Sequence, residues 1–285
     1  KLIKDDYEFH DFDSYRFYGN EIPHIETIYG IKQFMPLSNT VPPAMRTNCF
    51  VIGDDKKTVI DPSPKNQDEY LKLKNELKAF DIEQVFITHH HFDHHQFAVK
   101  LANDFNIPLK ISEDSFQRIN QKAKNYFNGI EVQIVGEGHK LCSWLREDVT
   151  LLAIPGHDEG HMALAPKSMA WMIVGDLFQG IGTVVVGGDE GDMQKYMQSL
   201  IKVIEMRPNC VIPSHGIALG GTFILEKTLE HRKLREKQIL DLRVQGKKTE
   251  EILEVIYFNI PEKIKKYAKA NIESHLKKLK AEKKN

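Results

Sequence analysis

The chain has 285 residues, of which 41% are hydrophobic and 28% charged, and its formal net charge is −1. That is the composition of a globular chain with a real core, long enough for one large domain or one domain with a small appendage. No apolar run approaches the roughly 18–20 residues a transmembrane helix needs. The three cysteines, Cys49, Cys142 and Cys210, are far apart and odd in number. They argue against a disulfide framework, favour a reducing compartment, and read as small buried apolar residues.

The net charge hides an asymmetry. Residues 223–285 carry 17 Lys+Arg against 10 Asp+Glu, and residues 1–222 carry 22 against 30. A body of net −8 and a tail of net +7 suggest two parts with different tasks, so the domain division is expected at 222/223.

The elements follow in chain order. KLIKDDYEFHDF at the start is charged and aromatic and does not read as a secretory signal. Position 1 is Lys rather than Met, which leaves a removed leader open. Residues 1–22 are expected to wrap onto the body. TNCFVIGDD and KKTVIDPSP read as two strands meeting at a turn near Gly53–Lys57. Residues 68–80 have Leu71, Leu73, Leu77 and Phe80 near helical spacing, and 83–89 (EQVFITH) is a buried strand. Residues 93–105 read as a helix. PLKISE, EVQIVG and VTLLAIPG read as strands, and MAWMIVGDLF as an apolar strand running into a loop at Gly175-Asp176. MQKYMQSLIKVIEM (193–206) is an amphipathic helix, and CVIPSHG a short strand ending at His215. Strand pairs alternating with strand–helix units predict an α/β sandwich with helices outside.

After Gly221 the texture becomes helical. A long helix stopped by Gly246 is followed by a second with Thr249 as N-cap, then by a third with Ile264, Tyr267, Ala268, Ile272, Leu276 and Leu279 on one face. Three helices with one apolar face each predict a small appended domain.

Chemistry concentrates in ITHHHFDHHQF (87–97), with five histidines and one aspartate between His89 and His95. The segment leaves a strand, where residues i and i+2 point the same way. His89 and His91 can therefore share one metal, and Asp93 and His94 can face a second. His90 points the other way and His95 falls one step late, so alanine at either is expected to leave metal content intact. Three further candidates each stand where a strand ends: His157 in PGHDEGH, Asp176 in VGDLF and His215 in PSHG. Strand ends bring distant residues to one sheet edge, and borderline metals such as zinc accept imidazole and carboxylate.

The ordered set H-x-H-x-D-H, GH, GD and H resembles the metallo-β-lactamase superfamily over roughly residues 30–220. The resemblance implies an αββα sandwich and two divalent metal ions, zinc first, with manganese or iron as variants. It implies one metal on His89, His91 and His157, a second on Asp93, His94 and His215, and Asp176 bridging them, with Asp93 and Asp176 as catalytic residues. It assigns supporting roles to Asp61 and His161, orienting ligands rather than binding metal. The family commonly has Gly-Gly after the H-x-H-x-D-H string, where this chain has His95-Gln96. That departure predicts a local change in helix packing and pocket shape. His10, His24, His139, His231 and His275 are expected at the surface.

Two metals in such a set imply hydrolysis by a metal-bridging hydroxide, with an ester, thioester, lactam or phosphodiester as substrate. Many zinc β-lactamases have a cysteine at the bridging position, whereas Asp176 is like that of glyoxalase-type hydrolases and metal-dependent ribonucleases. Diiron flavoproteins of this fold have glutamate where His91 stands. The basic tail resembles the winged-helix-like C-terminal extension of the lactamase-beta-like protein 2 group, which includes a mitochondrial endoribonuclease acting on single-stranded RNA. The implied partner is thus single-stranded RNA, in the cytoplasm or, in a eukaryote, the mitochondrial matrix. No stacking aromatics paired on a strand accompany it. The alternatives are a glyoxalase II-like ester or thioester hydrolase, a mononuclear iron persulfide dioxygenase, and a binding protein with a vestigial site. No membrane partner is expected.

Overall fold

The computed structural model describes residues 22–27, 29–180 and 182–282. Apart from Ile22, which is buried, the N-terminal segment expected to wrap onto the body lies outside the described residues.

The first sheet has seven strands in chain order: β1 (His24–Glu26), β2 (Lys32–Phe34), β3 (Cys49–Ile52), β4 (Lys57–Ile60), β5 (Ile82–Phe86), β6 (Leu109–Ser112) and β7 (Val132–Val135). β1 to β4 pair antiparallel and β4 to β7 parallel. Parallel pairs need crossovers, and α1 (Gln67–Leu77), α2 (Phe92–His95) with α3 (Ala98–Phe105), and α4 (Glu113–Lys122) lie in them. The second sheet has six strands: β8 (Lys140–Trp144), β9 (Glu147–Ala153), β10 (Met162–Pro166), β11 (Met172–Gly175), β12 (Cys210–Pro213) and β13 (Leu219–Gly220). Only β11 and β12 pair parallel in it, with α5 (Met193–Met206) between them. The tail forms α6 (Phe223–Val244), α7 (Thr249–Ile256) and α8 (Glu262–Ala281).

Strand alternation builds three layers of core. Phe50, Ile52 and Ile60 face Leu151, Leu164, Ile173 and Ile212 between the sheets. Their chain neighbours Cys49, Val51 and Val59 turn outward under Tyr70, Leu73 and Leu101 of α1 and α3. On the other side Ala163, Met172, Val174 and Val211 lie under Tyr196, Leu200 and Val203 of α5. Each such buried side chain contributes roughly 1.5–3 kcal/mol. The result is the expected αββα sandwich.

α6 serves two cores. Leu225 and Leu229 join the layer under the second sheet, while Ile239 joins Ile252, Leu253, Ala268, Ile272 and Leu279 in a small core of the C-terminal helices. The change of texture at 222/223 thus coincides with the start of a helix that ties body and tail together. No helix among the described residues is long and apolar enough to cross a membrane, and all three cysteines are free and buried.

Several expectations are corrected. The helix read over 93–105 is broken at Gln96–Phe97. The Gln96 backbone N–H donates to Ser63 Oγ, and its side chain is tied to Asn39 and the Lys65 carbonyl. β8, β10 and α4 were not anticipated. β10 is buried at every position, so it shows no period of two, and α4 buries only Ser115 and Ile119. The N-cap of α7 is Lys248 rather than Thr249, its N–H donating to Glu251 Oε2 at 2.8 Å. His275 is fully buried rather than at the surface, with Nδ1 3.2 Å from Glu236 Oε2. It lies on the face of α8 that packs against α6. His10 lies outside the described residues.

Candidate metal centre

Strand direction explains why seven candidate residues meet. β4 and β5 run parallel, and β9, β11 and β12 all point the same way in the second sheet. Their C-terminal ends therefore share one edge. There β4 delivers Asp61, β5 the turn Thr88–His91 leading into Asp93 and His94, β9 His157, β11 Asp176 and β12 His215. β10 runs the opposite way, so its N-terminal end brings His161 to the same edge. Backbone bonds stitch the edge together: Asn48 N–H donates to Ser214 O at 2.7 Å, Ser214 N–H to Gly175 O at 2.9 Å, and Met162 N–H to Thr88 O at 3.0 Å.

Two triads result. The nitrogens of His89, His91 and His157 lie within 4.8 Å of one another, as do the ligating atoms of Asp93, His94 and His215. Asp176 stands between them. Its Oδ2 is 3.5 Å from His157 Nε2 and 3.6 Å from His94 Nε2, and its Oδ1 is 3.4 Å from His215 Nε2. Two ligands each about 2.1 Å from one tetrahedral ion stand about 3.4 Å apart, so these spacings fit a divalent cation. His94 Nε2, His157 Nε2 and Asp176 Oδ1 are buried with no hydrogen-bond partner among the described residues. Orphaned polar atoms cost about 1–3 kcal/mol each unless something satisfies them, and a cation would.

The other nitrogen of each imidazole is held. His94 Nδ1–H donates to Asp61 Oδ2 at 2.8 Å, His157 Nδ1–H to Val185 O at 2.7 Å, and His215 Nδ1–H to Arg46 O at 2.8 Å. Thr88 Oγ1–H donates to Asp61 Oδ2 at 2.7 Å and lies 3.0 Å from His89 Nδ1, from which it can accept. Each of these four rings thereby turns Nε2 inward as a lone pair. His91 is reversed: Nδ1 lies 3.0 Å from His89 Nε2, and Nε2 lies 3.1 Å from Glu190 Oε2. Asp61 also accepts from Thr88 N–H at 2.8 Å and holds φ +51°, so one aspartate orients His94 directly and His89 through Thr88.

His161 supports Asp176 through the backbone: its Nε2 accepts from Asp176 N–H at 3.2 Å. Burial holds its pKa down to about 3, so the ring stays neutral and can accept. The preceding Gly175 has φ +54°, and a Cβ there would lie 2.2 Å from that same nitrogen. Only glycine fits.

Electrostatics are divided between the triads. Burial, then the neighbouring imidazoles, pushes His89 well below the usual imidazole range. Burial also opposes charge on His94, but Asp176, Asp61 and Asp93 raise it well above that range. Burial works against Asp176 too, yet His215 and His94 hold its carboxyl far down. Three carboxylates around His94 demand positive charge, which imidazolium or a divalent ion can supply.

The two histidines set aside from this set are not idle surface residues. His90 forms a third cluster with His91, Asp158 and Glu190, whose ligating atoms lie within 4.8 Å of one another, its Nδ1 2.5 Å from Asp158 Oδ2 and its Nε2 3.1 Å from Glu190 Oε1. Burial opposes its charge, but Asp158 and Glu190 raise its pKa. His95 packs edge-on against Tyr126, whose hydroxyl donates to the His95 carbonyl. Glu190, Asp158, Lys122 and Thr88 were not anticipated. Asp158 directly follows His157 and Thr88 directly precedes His89. Glu190 and Lys122 carry no such signal, because only the fold brings them to His90 and His91.

Burial lowers the pKa of His95 to about 3. A depressed histidine contributes fully above about pH 6.5, and that contribution falls by roughly 1.4 kcal/mol per pH unit as pH drops toward 3. His95→Phe, which keeps a ring against Tyr126, is expected to flatten the decline of the urea midpoint between pH 6.5 and 4.5. An unchanged slope would place the acid sensitivity elsewhere.

A family model described as the metallo-beta-lactamase superfamily matches residues 42–215, and one described as the beta-lactamase associated winged helix domain matches 249–284. The chain belongs to the metallo-β-lactamase superfamily and is a metal-dependent hydrolase with a C-terminal winged-helix domain. It is similar to the beta-lactamase-like protein 2 homolog of Drosophila melanogaster, 25% identical over 254 residues that cover 83% of this chain and 82% of that one. It is 26% identical over 168 residues to a hydroxyacylglutathione hydrolase of Bdellovibrio bacteriovorus, covering 57% of this chain and 60% of that one. In fold it is similar to a beta-lactamase domain protein from Burkholderia ambifaria, with a TM-score of 0.78 at 17% identity, covering 90% of this chain and 88% of that one.

Proposed function

We propose that the chain holds one divalent ion on His89, His91 and His157 and a second on Asp93, His94 and His215, with Asp176 shared, and hydrolyses a phosphodiester of single-stranded RNA. Asp176 carries the two-ion reading, because its two oxygens face both triads at 3.4–3.6 Å. Bound zinc, or manganese or iron in its place, would polarise the scissile bond and lower the pKa of water toward neutrality. The residues around it do the rest. Asp61, Thr88, Val185 O and Arg46 O fix the ring orientations, and His161 fixes the Asp176 backbone. Asp93 Oδ, with 16% side-chain exposure, is the carboxylate of the set most open to solvent and is placed to pass on the proton that hydrolysis releases.

Two observations support RNA. The tail 223–285 carries 17 Lys+Arg against 10 Asp+Glu, and such cations neutralise phosphates. Phe92, between His91 and Asp93 in the chain, is 54% exposed and offers a stacking face to an unpaired base. A thioester substrate is the second reading, favoured by the similarity to a hydroxyacylglutathione hydrolase. The cytoplasm, or a mitochondrial matrix, suits three free cysteines.

The test is a parallel assay of labelled single-stranded RNA and S-lactoylglutathione, alongside metal analysis. RNA cleavage that weakens steeply with salt, with about two equivalents of zinc or manganese, is the expected result. Thioester turnover without RNA cleavage would remove the RNA reading and leave the second. One equivalent of iron would remove the dinuclear reading itself.

A further inference from the structure

Residues 184–193 join the metal centre to the C-terminal helices. Toward the centre, Val185 O accepts from His157 Nδ1–H at 2.7 Å, Glu190 Oε2 lies 3.1 Å from His91 Nε2, and Asp192 N–H donates to Gly156 O at 2.8 Å. Toward the tail, Arg232 of α6 donates to Val184 O at 2.5 Å. Asn271 Oδ1 of α8 accepts from Val186 N–H at 2.8 Å, and Ser274 Oγ accepts from Met193 N–H at 3.0 Å. Gly187 sits so close to α8 that a Cβ there would lie 2.4 Å from Ala270 O.

These tail residues are buried: Arg232 is 1% exposed, Asn271 6% and Ser274 5%. Simple docking of a helical domain would use apolar contacts. Here buried polar side chains bond to the backbone of the segment that also holds His157 and His91. Val185 is gripped on both sides, through Val184 O and Val186 N–H. Its carbonyl belongs to the planar peptide that carries the Val186 N–H, so it cannot move without breaking a bond to α8.

We propose that the C-terminal helices position the metal centre, with Arg232, Asn271 and Ser274 as positioning residues that hold His157 and His91 through residues 184–193. This rests on the reading that those histidines bind metal. Partners of a ligating histidine typically change metal affinity 10–100-fold when removed, and these act one step further out through the same carbonyl.

The test uses the full-length protein and zinc, with affinity measured by competition against a chromophoric chelator. Asn271→Leu keeps the approximate side-chain volume but cannot accept the Val186 N–H. It is expected to weaken one of the two zinc sites about 10-fold or more. Asn271→Asp retains the acceptor and is expected to restore affinity, Ser274→Ala to give a smaller loss in the same direction, and Lys269→Ala, whose side chain pairs with Glu250 of α7, to give none. Wild-type zinc affinity in Asn271→Leu and Ser274→Ala, with only a lower unfolding temperature, overturns the proposal, since α8 then packs without positioning. If Asn271→Leu does not fold, Ser274→Ala decides alone. A wild-type protein that binds no zinc overturns the metal reading, and this inference with it, an outcome distinct from wild-type affinity in the variants.

Discussion

Asp176→Ala is expected to lower bound divalent metal from about two equivalents to one or fewer and to reduce kcat/KM by roughly two to four orders of magnitude. Asp176 is 4% exposed, and its oxygens face His94, His157 and His215. Removing one partner of a buried charged set costs about 3–5 kcal/mol, because the remaining groups stay buried without compensation. That cost falls on folding; in rate, one preorganised charge-stabilising group is typically worth about two to three orders of magnitude, and the loss of a bound ion with it adds to that. Asp176→Asn separates charge from shape, since it keeps the volume and the backbone N–H that His161 accepts. It is expected to lose most of the activity while unfolding close to wild type. Metal content by atomic emission and turnover of the active substrate are the measurements. Two retained equivalents with full turnover in Asp176→Ala would reject the shared-ligand role.

Asp61→Ala is expected to have the largest effect on stability and to weaken metal binding as well. Asp61 is fully buried and satisfies Thr88 N–H, Thr88 Oγ1–H and His94 Nδ1–H. An abandoned buried donor costs about 1–3 kcal/mol, and alanine at φ +51° adds roughly 1–2 kcal/mol where aspartate is tolerated. A loss of about 2–5 kcal/mol is expected in urea unfolding of the metal-free protein. Zinc affinity is expected to fall about 10–100-fold, since His94 loses its direct partner and His89 its relay through Thr88. Asp61→Asn tolerates the left-handed backbone and can still accept from Thr88, so it is expected to recover stability more fully than affinity. An Asp61→Ala protein with wild-type stability and zinc affinity would remove Asp61 from this role.

Much of the site was legible because its residues sit in short strings governed by local geometry. The i, i+2 rule predicts that His89 and His91 share a side, and their rings do meet, but the His90 ring lies about as near to His91, and its partners Asp158 and Glu190 are what distinguish it. Helix 193–206 was readable to its ends, because its apolar residues keep a period near 3.6 and Asp192 caps it. β10 was not readable, because it is covered on both faces and periodicity disappears. His275 was misread for a related reason. Its burial depends on α8 lying against α6, and nothing around it in the chain records that contact.

The orienting groups show the same boundary. Thr88 is the chain neighbour of His89, whereas Asp158 reaches back to His90, and Val185, Arg46 and Glu190 reach their histidines across 28, 169 and 99 positions. A carbonyl oxygen is chemically alike at every residue, so no side-chain pattern marks Val185 as the partner of His157. Residue chemistry and the periods of 2.0 and 3.6 were enough to set the kinds of ligand available, their order along the chain and the strands that would deliver them. Tertiary structure alone decided which nitrogen of each ring faces inward, that Asp176 lies between both triads, and that the C-terminal helices grip the segment behind His157. Those depend on how two sheets and three helices approach in space, through contacts between residues far apart in the chain.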